Sequence, residues 1–368
     1  MNISRRTAMG AALGMAAAVS VPASAAPTRR PAGYIDSLSF LPEDLDEVAD
    51  AGLDAMICDI SEIEEVRDPD GTPRYLRTYK ASRAGIDRAV ERIKASKNLY
   101  VAERGADIGT RPGCAVFLQF QSCEPIESDL SRIAAFHRLG LRVLQFTHHN
   151  NNLFAGGALE THHSGLTPLG VEGLAEMNRV GVLADASHGS EQTIVEAATR
   201  STRPIVLSHG ACRAIVDHPR CFSDKAIKAV ASGGGAIGIF MMSFWLTRDP
   251  VPVTDHFIQQ IRHVIRVGGI EAVGIANDFP MRGHLNLLKL GNNNRLGVGE
   301  YLEWWKAMRR LGIEGFEWTP EHVVVPELNN IYRMRLIAQA LERSRFRASE
   351  IDHIMGGNWQ RVLTDVLV

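Results

Sequence analysis

Two histidines, His188 and His209, each close a short apolar run, Ala184-Asp185-Ala186-Ser187-His188 and Val206-Leu207-Ser208-His209, 21 residues apart. Neutral imidazole is a common zinc ligand, and two such ligands from adjacent strands suit a catalytic site that leaves one position open for water. Bound zinc lowers the pKa of that water to about 7 and so supplies hydroxide at neutral pH. Asp278, at the end of Val273-Gly274-Ile275-Ala276-Asn277, is placed to take the proton from the attacking water as a general base. His148 suits polarising or hydrogen-bonding a scissile carbonyl. Arg220 suits a carboxylate, because its planar fork matches two oxygens where a lysine offers one point charge. A lone histidine at a strand end is usually structural, and a lone arginine usually lies on the surface. The argument rests on convergence.

Convergence requires elements that bring these residues to one place. Eight short runs read as strands: Tyr34 to Phe40, Ala55 to Ile60, Ala115 to Gln121, Val143 to His148, Val182 to His188, Ile205 to His209, Ala236 to Met241 and Ala272 to Asp278. Helical periodicity falls between several of them, at Ile86 to Lys94, Leu130 to Leu139, Gly170 to Val180 and Thr254 to Val267. Eight strands alternating with helices predict an α/β TIM (β/α)8 barrel. A doubly wound open sheet is the competing fold, but no glycine-rich dinucleotide loop follows the first strand. Gln121, His148, His188, His209 and Asp278 each close an expected strand, and the C-terminal face of a barrel is where side chains from separate strands meet. Leu285 to Asn294 reads as a long loop. Additional C-terminal helices are expected near Gly299–Leu311, Asn329–Arg343 and Ser349–Leu367, the last opened by a capping box of Ser349 with Asp352. There is no internal repeat and no second domain.

With 368 residues, 45% of them hydrophobic and 22% charged, the chain can bury one large barrel core. Its 40 basic residues are balanced by 42 acidic ones without a long run of either sign, which argues against nucleic-acid binding. The beginning reads as a removable segment outside the fold. Ser4-Arg5-Arg6-Thr7 precedes a weakly hydrophobic Ala/Gly/Met/Val stretch from Ala8 to Val21, and Ala23-Ser24-Ala25 offers a small-residue cleavage site. A twin-arginine (Tat) signal peptide over residues 1–25 and periplasmic export are expected, with an ordinary Sec signal or an uncleaved anchor as alternatives. Cleavage after Ala25 would remove Arg5 and Arg6 and no acidic residue. The five cysteines, Cys58, Cys114, Cys123, Cys212 and Cys221, form no CxxC pair, so neither a zinc ribbon nor a redox motif is expected.

Several of these stretches resemble the membrane (renal) dipeptidase family of the amidohydrolase superfamily. The most specific is GLTPLGVEGLAEMNRVGVLADASH, residues Gly165 to His188, similar to the family segment that ends on a zinc-binding histidine. LRVLQFTH resembles the strand whose histidine, here His148, contacts the substrate. LSHGACRAIVDHPR places His209 as the second zinc histidine and Arg220 where the family binds the substrate carboxylate. VGIANDF resembles the strand of the catalytic aspartate, Asp278, and GGNWQRVL the family's last helix. The resemblance implies a metallo-dependent hydrolase barrel over residues 33–368.

The departures are specific. Family members begin with a DGHND-like strand whose histidine and second aspartate hold one of two zinc ions, whereas this sequence has Asp36-Ser37-Leu38-Ser39-Phe40. Aligned on Asp36, the ligand positions become Leu38 and Phe40, which period-two alternation would put on one strand face. The bridging glutamate falls at Gln121. Losing a dication together with two carboxylates leaves local charge nearly balanced, so the loss reads as coordinated. A different alignment of the first strand is the alternative.

The resemblance then implies one zinc ion, held by His188, His209 and Gln121. His149, His162 and His163 lie near enough in sequence to supplement it, although a histidine-rich loop is more often solvated. The expected activity is hydrolysis of a dipeptide or small amide with a free carboxylate. Its rivals are a lyase- or isomerase-type maturation enzyme for an exported natural product and a catalytically silent binding barrel. The expected partners are a small-molecule or dipeptide-like substrate and the Tat export machinery, with a homodimer left open.

Overall fold

The computed structural model describes residues 30–67, 69, 73–283 and 299–368. The Arg5–Arg6 segment and the expected loop from Leu285 to Asn294 lie outside the described residues.

All eight expected strands form: β1 (Ile35–Phe40), β2 (Ala55–Asp59), β3 (Cys114–Phe120), β4 (Leu141–Gln145), β5 (Leu183–Asp185), β6 (Val206–Gly210), β7 (Ala236–Ile239) and β8 (Val273–Ile275). They pair in parallel in that order. A short strand, Leu99–Val101, also pairs with β3, and a polar hairpin joins Glu64–Arg67 to Pro73–Leu76. The sheet curls into a nearly closed barrel. Side chains complete the seam between β8 and β1: the Asp36 carboxylate accepts the Asn277 backbone N–H at 2.9 Å and its Nδ2 at 2.6 Å. The Asp278 N–H donates to the Leu38 carbonyl at 3.0 Å.

Helices cover the outside, and their starts follow local chemistry. Helices α1 (Asp46–Ala51), α2 (Tyr79–Ala95), α3 (Ser131–Arg138), α4 (Pro168–Val180), α5 (Glu191–Arg200) and α6 (Asp224–Ser232) follow the strands. Thr78, Thr167, Ser190 and Ser223 each accept a first-turn N–H at the start of α2, α4, α5 and α6. Next come α7 (Ser243–Leu246), α8 (Thr254–Gly268) and α9 (Gly299–Arg310), then α10 (Arg333–Arg343), α11 (Ala348–Asp352) and α12 (Asn358–Val366). The expected Ser349–Asp352 box is not the cap of α11. The helix starts one residue earlier, and Glu350 accepts the Arg347 N–H at 2.7 Å, while Asp352 accepts the N–H of Ala32 at 2.9 Å.

The floor of the barrel is apolar. Trp359, Val362, Leu363 and Val366 recur at helical spacing along one face of α12. They pack with Ile35, Ala55, Phe117, Val143, Leu183 and Val206, which stand at the N-terminal ends of their strands or just above. Gly274 is required there, because a Cβ would lie 2.1 Å from Trp359 Nε1. All five cysteines are buried and free.

Three strands stop a full three residues short of their expected ends. His148, His188 and Asp278 each lie three residues beyond β4, β5 and β8. His188 and Asp278 have φ of 62° and 51°, a left-handed backbone that no parallel ladder can contain. The expected shared face of Leu38 and Phe40 is also absent. The β1–β2 register shifts between Asp36 and Ser39, so strict alternation is broken. Leu38 is wholly buried, whereas Phe40 is 37% exposed. One apolar side chain, not two, fills the interior there.

Candidate active site

Above the apolar floor the barrel interior turns polar. The β5–β6 ladder is thin, Asp185 pairing with Val206 alone. The buried Asp185 carboxylate reinforces it, accepting the N–H of Ser187 at 2.8 Å and of Ser208 at 3.2 Å, with Gln119 Nε2 at 2.8 Å. The Ser208 hydroxyl bridges this carboxylate to His209 Nδ1, 2.8 Å away. Burial pushes the Asp185 carboxyl upward, opposed by its bonds to Ser208 and Ser187.

His209, inside β6, and His188, on the loop after β5, meet Nε2 to Nε2 at 2.6 Å. One of the two nitrogens therefore carries the proton. His188 presents its other edge to a third histidine, Nδ1 to Nδ1 of His149 at 3.0 Å. His148 stacks on His188 with ring centroids 4.4 Å apart. Of the three histidines named as possible supplements to the site, His149 joins the cluster. His162 and His163 are indeed exposed. Trp304 of α9 covers His149 at 5.9 Å between centroids.

Burial, reinforced by Arg220, holds His188 and His209 well below the ordinary histidine pKa. Burial also takes His149 well below it and His148 down to about 3. All four imidazoles are neutral at pH 7 and keep lone pairs. Asp278 is pushed up to about 7 by burial, with Arg220 pulling it down and Asp36 and Asp59 pulling it up.

Arg220 is the fully buried cation of the site, lowered to about 10 by burial and held up by Asp278. Its Nη2 donates to the His209 carbonyl at 3.1 Å and lies 3.0 Å from His188 Nε2. Its Nε and Nη1 have no hydrogen-bond partner. The rings of Phe240, Trp245 and Phe222 surround the guanidinium at 5.5, 5.6 and 5.8 Å. Gln121 is buried one residue past β3, its N–H held by Ser61 Oγ at 2.9 Å and its carbonyl by Gln145 Nε2 at 2.8 Å. The fold therefore gathers His148, His188, His209 and Arg220, and places Asp278 within electrostatic reach of Arg220.

Residues 44–289 match the sequence family described as membrane dipeptidase (Peptidase family M19). The chain belongs to this family. The match begins beyond β1. Dipeptidase tcpJ of Claviceps purpurea is 34% identical over 209 residues, 54% of this chain and 46% of that protein. The chain spans about half the length, or less, of the curated relatives it matches. An amidohydrolase from Pseudomonas aeruginosa shares the fold with a TM-score of 0.73 and 24% identity, over 90% of this chain and 96% of that one. A metallo peptidase from Rhodobacter sphaeroides, solved with a phosphinate mimic of L-Ala-D-Ala, superposes with a TM-score of 0.70 at 16% identity, over 92% of this chain and all of that one.

The family is one of metallopeptidases, and the donor set fits a divalent ion. Among the described residues, His148, His149 and His188 each offer a ring nitrogen, all within 4.8 Å of one another. Neutral imidazoles are the donors that zinc-type ions take.

Proposed function

We propose that this family member hydrolyses a dipeptide or small amide carrying a free carboxylate. The observation that carries the reading is Arg220. It is a fully buried cation with two N–H groups lacking acceptors, electrostatically coupled to a carboxylate poised near pH 7. A substrate carboxylate supplies the two missing acceptors in the geometry a guanidinium prefers. Docked so, the substrate lies between Arg220 and Asp278. Asp278, its carboxyl pushed up to about 7 by burial, takes a proton from the attacking water and returns it to the departing amine as the C–N bond breaks. A zinc-type ion bound to imidazoles around His188 would supply Lewis acidity and a water of lowered pKa. Phe222, Phe240 and Trp245 keep the carboxylate site apolar, which strengthens its electrostatics.

The buried Leu38 supports a second reading, a lyase- or isomerase-type reaction on an exported natural product, since the first-metal position is apolar. Arg5 and Arg6 support export by the twin-arginine route and action in the periplasm. The test is a screen of free dipeptides with the purified chain, with products identified by mass spectrometry and metal counted by plasma emission. Release of two amino acids with about one ion bound supports hydrolysis. A rearranged product of unchanged mass supports the second reading, and turnover of nothing by the metal-loaded protein overturns both.

A further inference from the structure

We propose that Asp59 binds the free α-ammonium group of the substrate's N-terminal residue, so that the chain selects dipeptides with an unblocked amino end. The inference rests on the dipeptide reading and names the second anchor of that substrate.

Strand parity places the side chain. Ala55 and Ile57 of β2 belong to the floor cluster inside the barrel. The β2–β3 register runs without a shift from Ala55 to Asp59, so period-two alternation turns Asp59 inward, one layer above Ile57. Its register partner, Gln119, also faces inward, where its Nε2 meets Asp185. Asp59 acts electrostatically on Asp278, whose carboxyl it helps to push up. The carboxylate therefore shares an interior with the candidate base.

Its bonding leaves the charge unmatched. Oδ1 accepts the Ser61 N–H at 2.9 Å, a turn that asparagine would close equally well. Among the described residues no cation lies within ion-pair distance of Asp59, although a carboxylate away from water ordinarily has one. The surrounding arginines are engaged elsewhere: Arg77 with Glu124 at 3.4 Å, Arg88 with Glu62 at 2.7 Å, and Arg92 with the Pro42 carbonyl at 2.5 Å. Burial pushes the Asp59 carboxyl up, and a docked ammonium would offset that cost. There is room for one, since Asp59 borders a cavity of about 360 Å³ together with Phe40, Ile60 and Ala89.

Topology relates this carboxylate to the other anchor. Arg220 follows β6 and holds the His209 carbonyl of that strand, while Asp278 follows β8. Around the barrel from β6 through β7, β8 and β1 to β2, Asp278 stands midway, and Asp59 ends the strand opposite β6. The interior of an eight-stranded barrel is wide enough for one small ligand. A zwitterion with its carboxylate on Arg220 and its ammonium on Asp59 spans that width with the peptide bond beside the base.

The experiment measures binding to the full mature protein by calorimetry. The probes are two uncleavable ketomethylene isosteres of Ala-Ala, one with its amino group and one without. The unmodified protein should prefer the amino isostere by about 10–100-fold, the range of one hydrogen-bonded charge. Asp59→Asn keeps the turn and removes the charge, so the preference should fall to about threefold or less. Asp59→Ser, which also suits a turn, supplies the same reading if the asparagine variant does not fold by circular dichroism. A merely structural role would weaken both isosteres equally and leave their ratio intact. An unchanged ratio in the variants overturns the proposal, as does equal binding, or no binding, of the two isosteres by the unmodified protein. A dipeptide screen tests hydrolysis separately. Isostere preference without any cleavage refutes the hydrolase reading alone, and cleavage without the preference refutes this one alone.

Discussion

Arg220→Ala gives the sharpest test of substrate orientation. In the free protein, Nε and Nη1 of Arg220 are buried without acceptors. A docked carboxylate gives each of them a charge-assisted hydrogen bond, and such bonds contribute about 1.5–3 kcal/mol apiece. At the lower figure the pair contributes about 3 kcal/mol, so Arg220→Ala should lower kcat/KM about 150-fold. Amidating the substrate C-terminus removes the same two contacts from the other side and should cost a similar factor. The double perturbation decides the matter. Arg220→Ala acting on the amidated substrate should be no worse than either change alone, because the two changes remove one interaction. Steady-state kinetics on the four combinations, with mass-spectrometric product counting, supplies the cycle. Losses that multiply to about 20,000-fold would show that Arg220 and the carboxylate do not meet. Arg220→Lys should recover little, since a point charge cannot replace the fork.

Further outcomes follow, from the structure for Asp278 and Trp359 and from the sequence for Arg5 and Arg6. Because Asp278 titrates near 7, kcat/KM should rise with pH through about 7 and level above it, and Asp278→Asn should abolish that limb with a loss of about 100-fold or more. The sign for stability is opposite. The folded state holds this proton above the ordinary carboxylate range, so the contribution is full below about pH 4 and lost as pH rises through 7; denaturant titrations of Asp278→Asn should show a flatter profile across that window. Trp359→Ala should open a cavity in the barrel floor and cost about 3–5 kcal/mol in urea unfolding, and a loss under about 1 kcal/mol would refute that packing role. Replacing Arg5 and Arg6 by lysines should leave the precursor in the cytoplasm on fractionation, and normal periplasmic accumulation would exclude the twin-arginine route.

The barrel was legible because each strand carries a short run such as Ala-Val-Phe-Leu in β3, bounded by helical periodicity. What composition conceals is where the backbone turns. Val143–His148 and Val182–His188 read as unbroken strands, yet the ladders stop at Gln145 and Asp185. Nothing in the letters marks His188 or His149 as left-handed. The same limit left His149 undistinguished from His162 and His163, which look like it in sequence, although His149 meets His188 and the other two are exposed. Phe40 was misplaced by a register shift, which period-two reasoning cannot anticipate. Asp185 and Ser208 were in view as parts of motifs, but their bridge across a thin ladder needs the third dimension. The polar hairpin at Glu64–Arg67 carries no buried alternation and left no trace.

The apolar plug of α12 has a kinetic consequence. Ile35 in the first strand and Trp359 near the far end of the chain belong to the same cluster of buried side chains, as do residues from β2 to β7. Contacts so distant in sequence form late, because the loop they close must be ordered before they stabilise anything. While the ribosome is still making the protein, the strands therefore have a hollow and sticky lower mouth, whatever their local pairing. Arrival of α12 converts that mouth into a packed floor. A chain stalled before Asn358 lacks that floor and should remain a client of chaperones.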